Sequence, residues 1–225
     1  MTICSYYNMY SFIPTFHFPY TKTIIFNTDT DNFNTISQYI KQYPSYKFIF
    51  KVIDSKNEAY GTGATSFVYD RIFKNFVDLY MTKSGLYFVD VNTDSFWNNE
   101  LNIEIFVKLI AMCTSSNSIL PYHLNPILLE TITKRPMYLC ELKYFMEQFD
   151  VETFKSCEEM SDKEFMDLGV GSVADYYRGR MSSGKADIYN SIANNFGLFD
   201  AMSNYDCCTI DRVFRVLMLL RLLML

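Results

Sequence analysis

The chain has 225 residues, a net charge of −5, and a composition that is 49% apolar and 17% aromatic. That is enough apolar material for one core, or one core with a small appendage. The mild acidity argues against a nucleic-acid binder, because phosphate affinity needs clustered Lys and Arg.

In chain order, Thr23–Phe26 (TIIF) and Lys47–Ile53 (KFIFKVI) are β-branched and aromatic runs that predict strands. From Ser66, the positions Val68, Ile72, Phe73, Phe76, Leu79 and Tyr80 share one face at helical spacing, with Thr65 or Ser66 able to cap the start. Leu86–Val91 follows a Ser84-Gly85 turn signal and reads as a third strand. Ile103, Phe106, Leu109, Ile110 and Cys113 predict a second helix. Leu124, Ile127, Leu128 and Ile132 predict a third, with Pro121 in its first turn and Pro136 beyond its end. Tyr138, Leu142, Phe145, Met146 and Phe149 form a fourth stripe. Ser161 and Glu164 have capping-box spacing ahead of Phe165 and Leu168. The glycine- and serine-rich stretch 169–185 reads as a flexible connection. Ile188, Ile192, Phe196 and Phe199 then form another helical face, and Thr209 is placed to cap a last helix. The fold class expected is mainly α with a few short β-strands (α+β). The organisation expected is an N-terminal extension 1–45, a helical body 46–168, and a smaller C-terminal piece 169–225.

The last thirteen residues, Val213–Leu225, are nearly all Leu, Met and Val, interrupted by Arg215 and Arg221. As a helix they would rise about 20 Å, too short for a hydrocarbon core of about 30 Å. A helix packed on a protein surface is the simpler reading, so membrane contact is not expected.

The six cysteines (Cys4, Cys113, Cys140, Cys157, Cys207 and Cys208) form no CxxC pair, and only His17 and His123 could join them. A zinc site needs convergent ligands at short local spacings, so no metal site is expected. Met1–Tyr20 lacks the basic start and apolar core of a signal peptide, and the thiols read as reduced in a cytoplasmic protein. Gly61-Thr-Gly63-Ala-Thr65 lacks the lysine of a P-loop, and Ser66 stands where a dinucleotide loop has its third glycine. No cofactor is expected; two glycines suit a tight turn before a helix. There is no G-x-S-x-G elbow. His123 reads as structural or surface. Cys207-Cys208 would have a lowered pKa only if Thr209 caps a helix, and ordinary packing is the simpler reading. Glu158-Glu159 and Asp29/Asp31 read as solvated faces. No catalytic, cofactor-binding or metal residues are therefore assigned.

Taken in series, these segments resemble the N-lobe of a HECT-type ubiquitin ligase. The run Phe48-Ile-Phe-Lys-Val-Ile53 leads through Tyr60-Gly-Thr-Gly-Ala-Thr65 into the aromatic helix of Phe67-Val-Tyr69 and Ile72-Phe73. Ser84-Gly-Leu-Tyr-Phe88, Phe106-Val-Lys-Leu-Ile-Ala111, Ile119–Leu129, and Glu141-Leu142 with Asp150 follow in the family's order. The likeness covers about 46–164. It departs from the family at Ala64, where proline is usual, and in the helix of Phe106–Ala111, which lacks a glycine. The stretch of about 156–191, matching the subdomain that docks the ubiquitin-conjugating enzyme, is short. Asn195-Phe196 stands where glycine-phenylalanine is usual.

The resemblance implies transthiolation, in which a ligase cysteine receives ubiquitin and passes it to a substrate lysine. The lobe that carries the family's Thr-Cys motif has no counterpart here, and Cys208-Thr209 reverses that order. The expectation is a HECT-related homologue or fragment that does not complete the cycle as this chain alone. Its expected partners are a ubiquitin-conjugating enzyme, a protein substrate or a host ligase. A non-catalytic adaptor or decoy, and an α-rich structural protein with an oligomerising tail, stand as alternatives. The bias toward Phe, Tyr, Ile, Asn, Met and Lys fits an AT-rich coding sequence, as in some large DNA viruses and protists, with host cytoplasm the setting if viral.

Overall fold

A computed structural model describes residues 18–85, 88–92, 95–116 and 122–203, together with Ile13 and Phe16. The fold is α+β. Among these residues helices dominate, and the strands are gathered into two three-stranded sheets. The described residues form two compact units, each assembled from separated stretches of chain. One draws on 18–73, 104–116 and 195–203; the other draws on 74–103 and 122–194.

The first unit begins with β1 (Tyr20–Asn27), which buries Ile24 and Phe26 and exposes Thr23 and Ile25. That alternation is the period of a half-buried strand. Asp31 accepts the Asn27 N–H at 2.8 Å and closes the turn. Asn32 then caps α1 (Phe33–Gln42) by accepting from the Asn34 and Thr35 N–H groups, and Phe33, Ile36 and Ile40 face the core. The chain returns as β2 (Tyr46–Ile53), parallel to β1 from Tyr20↔Tyr46 to Asn27↔Ile53. This is the crossover that a parallel pair requires. A short antiparallel strand, β3 (Glu58–Tyr60), pairs only with Lys51–Ile53. Beyond it the β2 edge has no strand partner among the described residues. Helix α2 (Thr62–Tyr80) supplies one from its side chains: Thr65 Oγ1 accepts the Phe50 N–H at 3.1 Å, and Tyr69 OH donates to the Phe48 carbonyl at 2.9 Å. The two residues are one helical turn apart, so one helix face satisfies two buried backbone groups.

Helix α3 (Glu100–Ser115) buries nearly every side chain from Ile105 to Cys113. Lys108 lies within that run and is only 1% exposed. Its Nζ donates to the Tyr43 carbonyl and lies 5.0 Å from the centre of the Phe48 ring. No carboxylate among the described residues pairs with it, and burial pulls the ammonium down to about 7.

The second unit contains the hairpin of β4 (Met81–Ser84) and β5 (Phe88–Val91), antiparallel from Met81↔Val91 to Ser84↔Phe88. A two-residue strand, β6 (His123–Leu124), pairs in parallel with β5. Trp97 is anchored by its indole N–H, which donates to the Tyr80 carbonyl at 2.9 Å, while Tyr80 and Phe96 stack 3.9 Å apart. Among the described residues six helices follow: α4 (Pro126–Thr133), α5 (Leu139–Phe149), α6 (Val151–Glu159), α7 (Asp162–Asp167), α8 (Val173–Ser182) and α9 (Ala186–Ser203). The last runs on into the first unit.

Local chemistry explains the departures from expectation. The third helix starts at Pro126, capped by Asn125, because Leu124 belongs to β6. Thr65 does not cap α2; it lies in the helix and serves the β2 edge. The stretch 169–185 is not a flexible connection over its length. Ser172 caps α8 by accepting the Asp175 N–H, and Tyr177 and Met181, one turn apart, are buried. α7 and α8, on either side of residue 169, fall in the same unit.

Candidate functional site

The glycine loop is conformational. Gly61 has φ +116°, a backbone that side chains disfavour, and α2 starts immediately after it. Gly63 lies in the first turn of the helix with no such need. Thr65, the loop's one well-buried hydroxyl, is engaged by Phe50.

The second unit contains a buried polar centre. Asp90, in the otherwise apolar β5, is 1% exposed. Its carboxylate accepts from Tyr189 OH at 2.7 Å, Lys185 Nζ at 3.0 Å and Asn125 Nδ2 at 3.1 Å, and also from the Val91 N–H. Asn125 Nδ2 donates to the Met181 carbonyl as well, while its Oδ1 accepts the Ile127 N–H that opens α4. Burial pushes the Asp90 carboxyl up, against the pull of Tyr189 and Lys185. The same desolvation, with Asp90 beside it, pushes the Tyr189 phenol up. These groups hold one another and tie β5 to the starts of α4 and α9. Chemically this is a clamp, because each donor already has a protein acceptor.

A second clamp lies nearby in sequence. Arg178 on α8 forks onto Glu130 of α4, at 2.9 Å from Nη2 and 3.1 Å from Nε, and also donates to the Met137 carbonyl. Glu130 in turn accepts the Met137 N–H. Arg135 pairs with Glu141, whose other oxygen accepts the Tyr138 N–H and caps α5.

An open groove of about 520 Å³ is lined by Gly85, the α5–α6 junction from Glu147 to Glu152, Arg180 and Ser183. Arg180 lies 3.0 Å from Asp150. The Thr153 N–H and hydroxyl, with Arg180, hold the Asp150 carboxyl below the usual carboxylate range. Gly85 is indispensable to the groove's wall. Its φ is +63°, and a Cβ there would meet the Phe149 Cα at 2.8 Å and the Gln148 carbonyl at 3.0 Å. Gly85→Ala should therefore lower stability by about 2–4 kcal/mol, combining left-handed strain with a backbone clash. Urea unfolding checks this, and a change under about 0.5 kcal/mol would contradict it.

Among the described thiols, Cys113 and Cys157 are buried and Cys140 is exposed. Burial pushes the Cys113 and Cys157 thiols up, away from the thiolate that nucleophilic attack requires. His123 is half-buried in β6, where burial lowers its pKa. Cys207, Cys208 and Thr209 lie outside the described residues, as does Val213–Leu225. The acidic pairs are not merely solvated. Asp31 closes a turn, and Glu158 pairs with Lys143 at 2.6 Å. Among the described residues, no three His, Cys, Asp or Glu side chains converge as metal ligands. No helix among them is long and apolar enough to cross a membrane. The Asp90 centre escaped the sequence reading, although an aspartate within an apolar strand was a usable signal.

No protein-family model matches this chain, and no curated protein matches it either.

Proposed function

We propose that the chain is a divergent relative of the HECT N-lobe that acts as a non-catalytic binding component of the ubiquitin pathway, in the cytoplasm. The observation that carries this reading is serial. The likeness called for a strand, a polar turn, a glycine loop opening an aromatic helix, a second strand, and then successive helices. The chain supplies β2, the Asp54–Asn57 turn, Gly61 ahead of α2, β5, and α3, α4 and α5 in that order. Two further features support binding without transfer. Of the described thiols, Cys113 and Cys157 are buried with raised pKa, unsuited to accepting ubiquitin from a thioester, and Cys140 alone is exposed. The stretch corresponding to the conjugating-enzyme docking piece holds α7, in which Met166 is 69% exposed and just after which Leu168 is 56% exposed. Exposed apolar side chains of this kind suit a protein partner.

The test uses a panel of ubiquitin-charged conjugating enzymes. Immobilised full-length chain should retain at least one of them, and Met166→Asp with Leu168→Asp should weaken that capture about tenfold or more. Incubation with activating enzyme, conjugating enzyme, ubiquitin and ATP should leave no thiol-sensitive ubiquitin adduct on the chain. Failure of the whole panel to bind would overturn the binding role. A ubiquitin thioester on any cysteine would overturn the non-catalytic one.

A further inference from the structure

The direction of its main chain decides what the free side of β1 offers. The Thr28 N–H donates to the Ile53 carbonyl at 3.0 Å, while the Asn27 N–H turns the other way, onto Asp31. Backbone groups of successive strand residues face opposite sides. Lys22, Ile24 and Phe26 therefore bond β2, and Thr21, Thr23 and Ile25 face away from it. β1 is an outer strand of its sheet, and the outward N–H and C=O groups of these three residues bond nothing among the described residues. Their side chains are exposed, β-branched and uncharged, with Ile25 at 59%. Sheet edges are ordinarily guarded by a charge, a proline or a bulge. None stands at these positions, where the register with β2 runs unbroken.

We infer that β1 is a dimerisation edge, which pairs antiparallel with β1 of a second copy of this chain about a two-fold axis at Thr23. Two observations name that occupant. The free groups are symmetric about Thr23. A two-fold there sets Thr23 against its own copy and Thr21 of each chain against Ile25 of the other, so every outward group finds a partner. The side-chain pairs so made are Thr–Thr and Thr–Ile, which suit a sheet surface. Charge runs the same way. Lys22 lies near the start of the strand, where Lys47 stands opposite Thr21 in the β2 register, while Asp29 and Asp31 follow its end. Antiparallel pairing lays the basic start of each copy beside the acidic end of the other; a parallel one would set the aspartates together. An edge of eight residues is small beside a standard interface, so the expected Kd is on the order of 10 μM.

Sedimentation velocity of the full-length chain from about 1 to 100 μM provides the test. The expected result is a monomer–dimer equilibrium. Thr23→Lys sets two ammonium groups opposite each other across the axis and should weaken the dimer about tenfold or more. Thr23→Asp should do the same with two carboxylates. Mixing the two variants turns repulsion into attraction, so the mixture should dimerise at concentrations where neither variant does alone. Both substitutions lie on the exposed face of the strand, which keeps the fold. A parent chain that stays monomeric to about 100 μM would overturn the proposal. So would a Thr23→Lys chain that dimerises as the parent does, the result expected if another surface holds the copies together. A mixture no more dimeric than its components would overturn it as well.

Discussion

Replacing Lys108 by methionine should stabilise the protein by about 2–4 kcal/mol at pH 6, and should remove a pH dependence that the unaltered chain carries. The reason is the imbalance around its amine. Lys108 is 1% exposed, its one hydrogen-bond acceptor among the described residues is the Tyr43 carbonyl, and the Phe48 ring is a weak substitute for a carboxylate. Its pKa falls from 10.5 to about 7 on folding. Between those values the unfolded chain holds a proton that the folded chain has lost, so stability rises with pH across the window. Below about 7 both states are charged and the full penalty applies; above 10.5 it vanishes. A shift of that size corresponds to about 4–5 kcal/mol, reduced by about 1 kcal/mol when the Tyr43 carbonyl loses its donor. Methionine matches the lysine stem in shape and adds no charge. Urea titrations at pH 6, 8 and 10 should show the two proteins converging as pH rises. Parallel curves, or a methionine variant weaker at pH 6, would contradict the account.

The opposite sign is expected at Asp90. Asp90→Ala should cost about 3–5 kcal/mol, because Lys185, Asn125 and Tyr189 are then left facing a void. Tyr189→Phe removes one donor and should cost about 1–2 kcal/mol. Lys185→Met is the diagnostic variant. Burial already pushes the Asp90 carboxyl up, so without the ammonium it retains its proton to still higher pH. A carboxyl whose folded pKa is raised supports stability while protonated and loses that support as pH rises through the folded value. The deficit of Lys185→Met should therefore be small in acid and grow with pH. A deficit that is flat from pH 4 to pH 8, or an Asp90→Ala variant within about 1 kcal/mol of the parent, would show that the centre is not a clamp.

These two residues mark where sequence reasoning stopped. The runs TIIF and KFIFKVI declared themselves as strands through local composition, and the Ser161–Glu164 spacing declared a helix start; both signals lie within a few residues. β3, β4 and β6 have between two and four residues each and are strands only because of what they pair with. α1 was legible in principle, with Asn32 as cap and Phe33, Ile36 and Ile40 at helical intervals, but its polar residues masked the stripe. Asp90 meets Lys185 across 95 residues, and Lys108 meets Tyr43 across 65. Neither partner can be inferred from a window of sequence. Of the chemistry weighed beforehand, the glycine loop proved to be a turn, Glu158 a salt-bridge partner, and Asp31 a turn brace.

The interleaving of the two units bears on how the chain emerges from a ribosome. Asp90 is made 95 residues before Lys185, a gap of about 5–20 s at ordinary synthesis rates. Over that interval Asp90 lacks its partner Lys185 and stays hydrated. The other unit also draws on residues after 194, where Phe196 packs 5.8 Å from Phe16. Neither unit can finish while the nascent chain is short of α9, so vectorial, unit-by-unit folding is closed to this protein. Its apolar strands instead wait exposed until α9, which supplies residues to each unit, has been made.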